Sequence, residues 1–345
     1  MTLRVRPKAG TVPLVPADTV IGFEQFPLQP DGAPAAAAPS GVASVAQSGG
    51  AMTLSAAGAV LEVDRGTGLI RRYAKDGRVL ASGGAPNFWR AVTDNDIGIG
   101  TEKQLAMWKT MSEQRRVRSV RADRKAGSII VTYDLGEGAA TFDTTYRMAG
   151  DGSVAVSGAL TPLRQHLPPP FLGGLSFALP TDLTTVQWYG RGPHESYVDR
   201  KTSAPIGLWR GPIAAQNHDY IRPQETGNKV DVRWMELSGA GRGLRVQGAR
   251  PLMMNALAFP YADLDRHAPG TWKSTDVVPH GQVNLLVDAT QWGVGGDTQW
   301  SEVGKPLPQY RTVLKPTIVE FRLNSFAGEG SAPGRARPAS ATGAD

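Results

Sequence analysis

Forty-one glycines and twenty-six prolines among 345 residues leave few stretches long enough for an uninterrupted helix. Average usage is roughly 7% and 5%, and both residue types punctuate regular structure, glycine through its conformational freedom and proline through its missing donor. A chain interrupted this often is expected to consist of short strands joined by turns. Its length suggests about two domains at roughly 150 residues each, although large β-sandwiches run past 200 residues as one unit. At 41% hydrophobic it can still fill a core, which excludes wholesale disorder.

The lack of cysteine rules out disulfides, thiol catalysis and cysteine-based zinc sites, and it fits a reducing compartment. The net charge is +6, and the densest basic run is Arg115, Arg116, Arg118, Arg121, Arg124 and Lys125. Binding to single-stranded nucleic acid favours aromatics interleaved with such charges. None lie there, so the run reads as a solvated strand-and-turn surface. MTLRVRPKAG lacks the apolar stretch of a secretory signal, and no run approaches 18 apolar residues, so a soluble chain without a membrane partner is expected.

Four regions divide the chain. Residues 1–28, ending in VIGFEQFPL, carry one or two strands that cannot bury both faces alone and so read as the end of a preceding domain. Residues 29–50 are mostly Pro, Ala, Gly and Ser without aromatics, a linker composition. Residues 51–326 hold a long series of strand signals, and 327–345 read as a disordered tail. Within the long region, SIIVTYD, ATFDTTYRM and SVAVSGAL alternate around glycine turns as an antiparallel meander. Further pairs are read as VRWMEL with GLRVQGA, and RTVL with TIVEFRL. One helix is expected near Thr101–Met111, with Thr101 and Gln104 as a capping box and Leu105, Trp108 and Met111 on one face. Without repeated strand–helix alternation, the expected fold is an all-β, large antiparallel β-sandwich.

Four segments have unusual compositions. In PNFWRAVTDNDIG, Asp94, Asn95 and Asp96 resemble the start of a calcium loop without its closing glutamate, and a structured turn is the plainer reading. In WYGRGPHESYVDRK, His194 beside Glu195 suggests acid–base chemistry. Adjacent residues on extended chain face opposite ways, however, and with Asp199, Arg191, Arg200 and Lys201 close by, a loop pinned by arginine–carboxylate hydrogen bonds is the plainer use. In YIRPQETGNKVDVRW, Glu225 is placed to accept backbone hydrogen bonds and is weak as a lone catalytic carboxylate. In WGVGGDTQW the glycines allow close backbone approach, and an indole there either stacks on a sugar or folds onto the core.

In this order and spacing, the segments resemble the C-terminal domain of bacterial β-galactosidases of glycoside hydrolase family two. The matching motifs are VDRGTGLI, RAVTDNDIGIG, GRGPHESYVDRK, YIRPQETGNKVDVRW and WGVGGDTQW, from roughly Ala51 to Phe326. Val92 replaces a proline of the family pattern, and Gln299 replaces a small residue. The resemblance implies a sandwich of the galactose mutarotase-like type. It also implies that residues 1–28 close a preceding Ig-like β-sandwich domain.

What the resemblance implies about function is specific. The partner is the TIM-barrel portion of a β-galactosidase, which carries both catalytic glutamates, so no catalytic residue is assigned to this chain. Family enzymes often use Mg and Na in the barrel, and this chain is expected to bind no cofactor itself. Trp300 is the indole expected to stack on the β-galactoside or acceptor sugar, with Asp297 the loop carboxylate beside it. The assembled enzyme is expected to be oligomeric and to act on substrates such as lactose, and the bacterial cytoplasm is preferred to the periplasm. The competing reading is a free-standing carbohydrate-binding module, or a mutarotase-like epimerase using His280 or His194 with a carboxylate.

Overall fold

The computed structural model describes residues 1–28, 41–265, 272–296, 298 and 301–328. Strands dominate. In chain order they are β1 (Thr2–Val5), β2 (Gly22–Gln25), β3 (Ser44–Ser48), β4 (Ala51–Ala56), β5 (Ala59–Asp64), β6 (Ile70–Lys75) and β7 (Arg78–Asn87). After α1 (Asp94–Gly98) and α2 (Thr101–Glu113) come β8 (Arg116–Asp123), β9 (Ser128–Leu135), β10 (Ala140–Met148), β11 (Val154–Pro162) and β12 (Leu172–Leu179). The last are β13 (Thr185–Arg191), β14 (Ile206–Pro212), β15 (Lys229–Gly239), β16 (Arg242–Leu257), β17 (Val283–Gln291) and β18 (Thr317–Phe326). No helix among the described residues is long and apolar enough to cross a membrane.

The expected meander forms. In β9, Ile129, Val131, Tyr133 and Leu135 point inward by strict alternation, and Phe142 and Tyr146 of β10 stand opposite Tyr133 and Ile129. The sheet then runs β3-β4-β5-β6-β7-β12-β17-β16-β18-β11-β10-β9-β8, and β13, β14 and β15 branch from β16. This path bends back on itself until β4 packs on β9 and β10. Tyr73 of β6 donates to the carbonyl of Gly152 at 3.1 Å, and Phe177 meets Phe321 edge-on at 5.9 Å. These contacts join two antiparallel layers around one core, which is the expected β-sandwich.

Several local expectations change. The strand β18 pairs with β11 and β16 rather than with RTVL, and residues 311–314 form no strand. β3 lies inside the stretch read as linker, where Ser44–Ser48 pairs with β4 as a largely exposed edge. The helix near Thr101 exists, with Leu105, Trp108 and Met111 buried, but Gly100 occupies its cap with no side-chain bond. The capping box sits instead at Thr93 and Asp96, ahead of α1. Residues 2–5 and 22–25 form a separate two-stranded sheet. It is joined to the β14 edge by the Gln25 amide, which bonds both backbone groups of Ile206 at 2.7 and 3.0 Å. The basic run from Arg115 falls mostly on exposed positions of β8 and the turn after it.

Candidate functional site

The four unusual segments meet where the loops after β7, β13, β14 and β17 bind one another. The first is organised by Arg90, which is wholly buried. Its guanidinium bonds Asp96 at 2.7 and 3.3 Å and the Gly293 carbonyl at 3.0 Å, and it lies 4.4 Å from the Phe171 ring centre. Asp96 also accepts the Thr93 amide and hydroxyl, each at 2.8 Å. Asp94 accepts from Arg222 at 2.7 Å and Gln224 at 3.3 Å, while Asn95 donates to the Gly304 carbonyl at 3.5 Å. The three side chains that resemble a calcium loop are thus engaged as helix caps and loop ties. Among the described residues no three His, Asp or Glu side chains group to hold a metal.

In the second segment, His194 and Glu195 face apart. His194 is exposed at its surface, with Nε2 3.3 Å from the Ser203 hydroxyl, and partial desolvation of the ring, followed by the charge of Lys229, lowers its pKa. Glu195 turns inward, accepting from the Thr226 hydroxyl at 3.2 Å and the Gly227 amide at 2.9 Å, and it pairs with Arg200 and the Tyr220 hydroxyl. Arg191 bonds Asp231 at 2.6 Å and two loop carbonyls at 2.9 Å. This is the arginine-pinned loop that competed with the acid–base reading.

Glu225, in the third segment, is not a lone carboxylate. It lies 4% exposed between two tyrosines, accepting from Tyr197 at 3.3 Å and from the Tyr261 hydroxyl. Tyr261 in turn accepts the Ala91 amide at 3.1 Å. Burial, reinforced by Glu195 and Asp96 and opposed by Arg90, pushes the Glu225 carboxyl up to about 8. The backbone hydrogen bond expected at Glu225 goes to Glu195 instead. Lys229 is buried over the Trp188 ring, and burial lowers it to about 8. Burial also raises the Asp288 carboxyl well above its usual range.

In the fourth segment the first indole follows the core reading. Trp292 folds onto the core, 6% exposed and edge-on to Phe171, with its amide on the Phe171 carbonyl at 2.7 Å. The chain then leaves the core as Gly293-Val294-Gly295-Gly296. Asp199 accepts the Val294 amide at 3.2 Å and the Gly295 amide at 2.8 Å. A Cβ on Gly296 would stand 2.2 Å from the Gly304 carbonyl oxygen, so this approach requires glycine. Asp297 and Trp300, the two residues expected to meet the sugar, lie outside the described residues.

Of the histidines proposed for epimerase chemistry, His280 does meet a carboxylate, with Nε2 2.5 Å from Asp263. The cavity beside it, about 190 Å³, is lined mainly by apolar side chains such as Leu183, Ile213, Ala258 and Val283, a poor match to a sugar's hydroxyls. Sequence reasoning missed Tyr261 and the double duty of Arg90. Tyr261 sits in an ordinary stretch with no spacing signal, whereas an arginine four residues after Pro86 and beside Phe88 and Trp89 was at least conspicuous. The carboxyls Glu195, Glu225 and Asp96 are enclosed by protein donors, an arrangement suited to holding loops.

Residues 55–323 match the protein family described as Beta galactosidase small chain. The beta-galactosidase of Priestia megaterium (strain DSM 319 / IMG 1521) is 33% identical over 296 residues, which are 84% of this chain and 28% of that protein. The beta-galactosidase of Lactobacillus delbrueckii subsp. bulgaricus is 32% identical over 246 residues, 68% of this chain and 24% of that protein. The chain therefore spans about a quarter of the length of these relatives. Among solved structures, galactose 1-epimerase from Lactobacillus acidophilus NCFM aligns with a TM-score of 0.42 at 12% identity, over 81% of this chain and 95% of that one. By its sequence match, the chain belongs to the beta galactosidase small chain family.

Proposed function

We propose that this chain is the C-terminal part of a β-galactosidase that hydrolyses terminal β-D-galactosides such as lactose. In this reading it completes a substrate site whose catalytic glutamates stand in a TIM-barrel portion, with Trp300 stacking on the sugar and Asp297 beside it. Retaining hydrolysis needs two carboxyls about 5–5.5 Å apart around the scissile bond. Here Glu225 is buried and Glu195 is enclosed by four donors from its own chain, so neither suits that work.

One observation carries the reading. Asp199, Arg90 and Asn95, from two other segments, hold the backbone around the glycine loop that leads directly into Asp297 and Trp300. A held loop ending in an indole suits an aromatic platform for a sugar face. A supporting observation concerns the rest of the enzyme. The β1–β2 sheet and the residues after it leave Leu3, Val5, Phe26 and Leu28 exposed, as expected if residues 1–28 close a preceding Ig-like domain. Whether the purified chain restores hydrolysis to a barrel portion that lacks it is the direct test.

A further inference from the structure

The carboxylate of Asp199 is used in an unusual way for its neighbourhood. It is followed by two cations, Arg200 and Lys201, yet both pair elsewhere. Arg200 goes to Glu195 and to the Tyr220 hydroxyl at 3.1 Å, and Lys201 goes to Asp231 at 3.2 Å. The Asp199 oxygens instead divide between two consecutive amides lying 95 and 96 residues further along the chain. Oδ1 accepts from Val294 at 3.2 Å and Oδ2 from Gly295 at 2.8 Å. These amides follow the end of β17, just past those of Trp292 and Gly293, which bond the Phe171 and Tyr310 carbonyls. The carboxylate lies flush on the loop because glycine leaves room, since a Cβ on Gly293 would stand 2.4 Å from Asp199 Oδ2. On the Gly293 carbonyl, Arg90 supplies the opposite charge at 3.0 Å.

We infer that Asp199 is the positioning residue of the glycine loop, and that through this loop it sets binding at the sugar subsite next to galactose. The second half rests on the proposed function, in which the loop faces substrate; the first half does not. Hydrogen bonds to a charged acceptor are stronger than neutral ones. A carboxylate also presents two acceptors where an amide of the same shape presents one acceptor and one donor. Asp199→Asn therefore keeps the packing, loses one bond and turns a donor toward a donor.

The test has two readouts. In this chain, amide hydrogen exchange is followed at Val294 and Gly295 in wild type, Asp199→Asn and Asp199→Ala, with circular dichroism to check folding. Exchange should quicken by about ten-fold or more in both variants, as expected for losing about 1.4 kcal/mol of local protection. Unchanged exchange in folded Asp199→Asn overturns the positioning role, because the isosteric variant separates hydrogen bonding from packing even if the alanine variant fails to fold. In the assembled enzyme, KM for lactose should rise more than kcat falls. Quickened exchange with unchanged lactose kinetics supports Asp199 as the positioning residue and overturns the placement of the loop against substrate.

Discussion

Arg90 and Asp96 form a two-bonded ion pair, at 2.7 and 3.3 Å, in which the guanidinium has no exposure to water. Removing one partner leaves the other charge buried and uncompensated, which costs about 3–5 kcal/mol. Asp96→Ala should therefore lower the denaturant midpoint strongly. Glu137→Ala, which breaks the exposed pair with Arg116, should move it by less than about 1 kcal/mol. Equal effects in equilibrium urea melts would contradict the assigned burial.

The two tyrosines on Glu225 are expected to differ in weight. Tyr261→Phe removes a donor to Glu225 and strips the Ala91 amide of its acceptor. A buried amide left unsatisfied costs about 1–3 kcal/mol. Tyr197→Phe loses only the 3.3 Å bond to Glu225 and should cost less. Urea melts of the two variants check the order, and the reverse order would contradict the network.

Stability should vary with pH through three buried groups. Glu225 titrates at about 8 in the folded chain against an ordinary 4.5. Across that window the folded state holds a proton that the unfolded state has released, so stability falls as pH rises. Asp288, also raised, adds to the fall. Lys229 titrates at about 8 against an ordinary 10.5, so between those values the unfolded state binds the extra proton and stability rises with pH. Glu225 and Lys229 by themselves place a minimum near pH 8, and Glu225→Gln should flatten the acid-side slope. A slope from pH 5 to 8 that is the same in Glu225→Gln and wild type would show that Glu225 is ionised in the fold.

The strands were largely legible because Ile129, Val131, Tyr133 and Leu135 obey a period of two that only a half-buried strand requires. α2 was legible through Leu105, Trp108 and Met111, but its cap was not. Thr101 lies inside α2 behind Gly100 at the cap, while the capping box forms one helix earlier, at Thr93 and Asp96 of α1. The segment around Glu195 announced that its charges would pair, without saying with what. Glu195 took the Gly227 amide, Asp199 took those of Val294 and Gly295, and neither choice follows from spacing. Tyr261 reaches Glu225 across 36 residues, a contact made by the folding of the sheet rather than by any local pattern.

Trp300 is expected to act at the sugar rather than in the core. In the assembled enzyme, Trp300→Ala should weaken lactose binding and glucose acceptance by roughly ten-fold, with far-UV circular dichroism unchanged. An aromatic contact of this kind is worth about 1–2 kcal/mol once burial is included, and 1.4 kcal/mol is about a factor of ten. A variant that melts several degrees lower with intact kinetics would place the indole in the core.

Hydrolysis of a nitrophenyl β-galactoside, by the purified chain alone and after mixing with a barrel portion inactive by itself, is the measurement that bears most directly on the proposed function. The chain alone should release no nitrophenol above background, and activity should appear on mixing. Hydrolysis by the chain alone that survives repurification, and disappears on substitution of Glu195 or Glu225, would contradict a role confined to completing another portion's site.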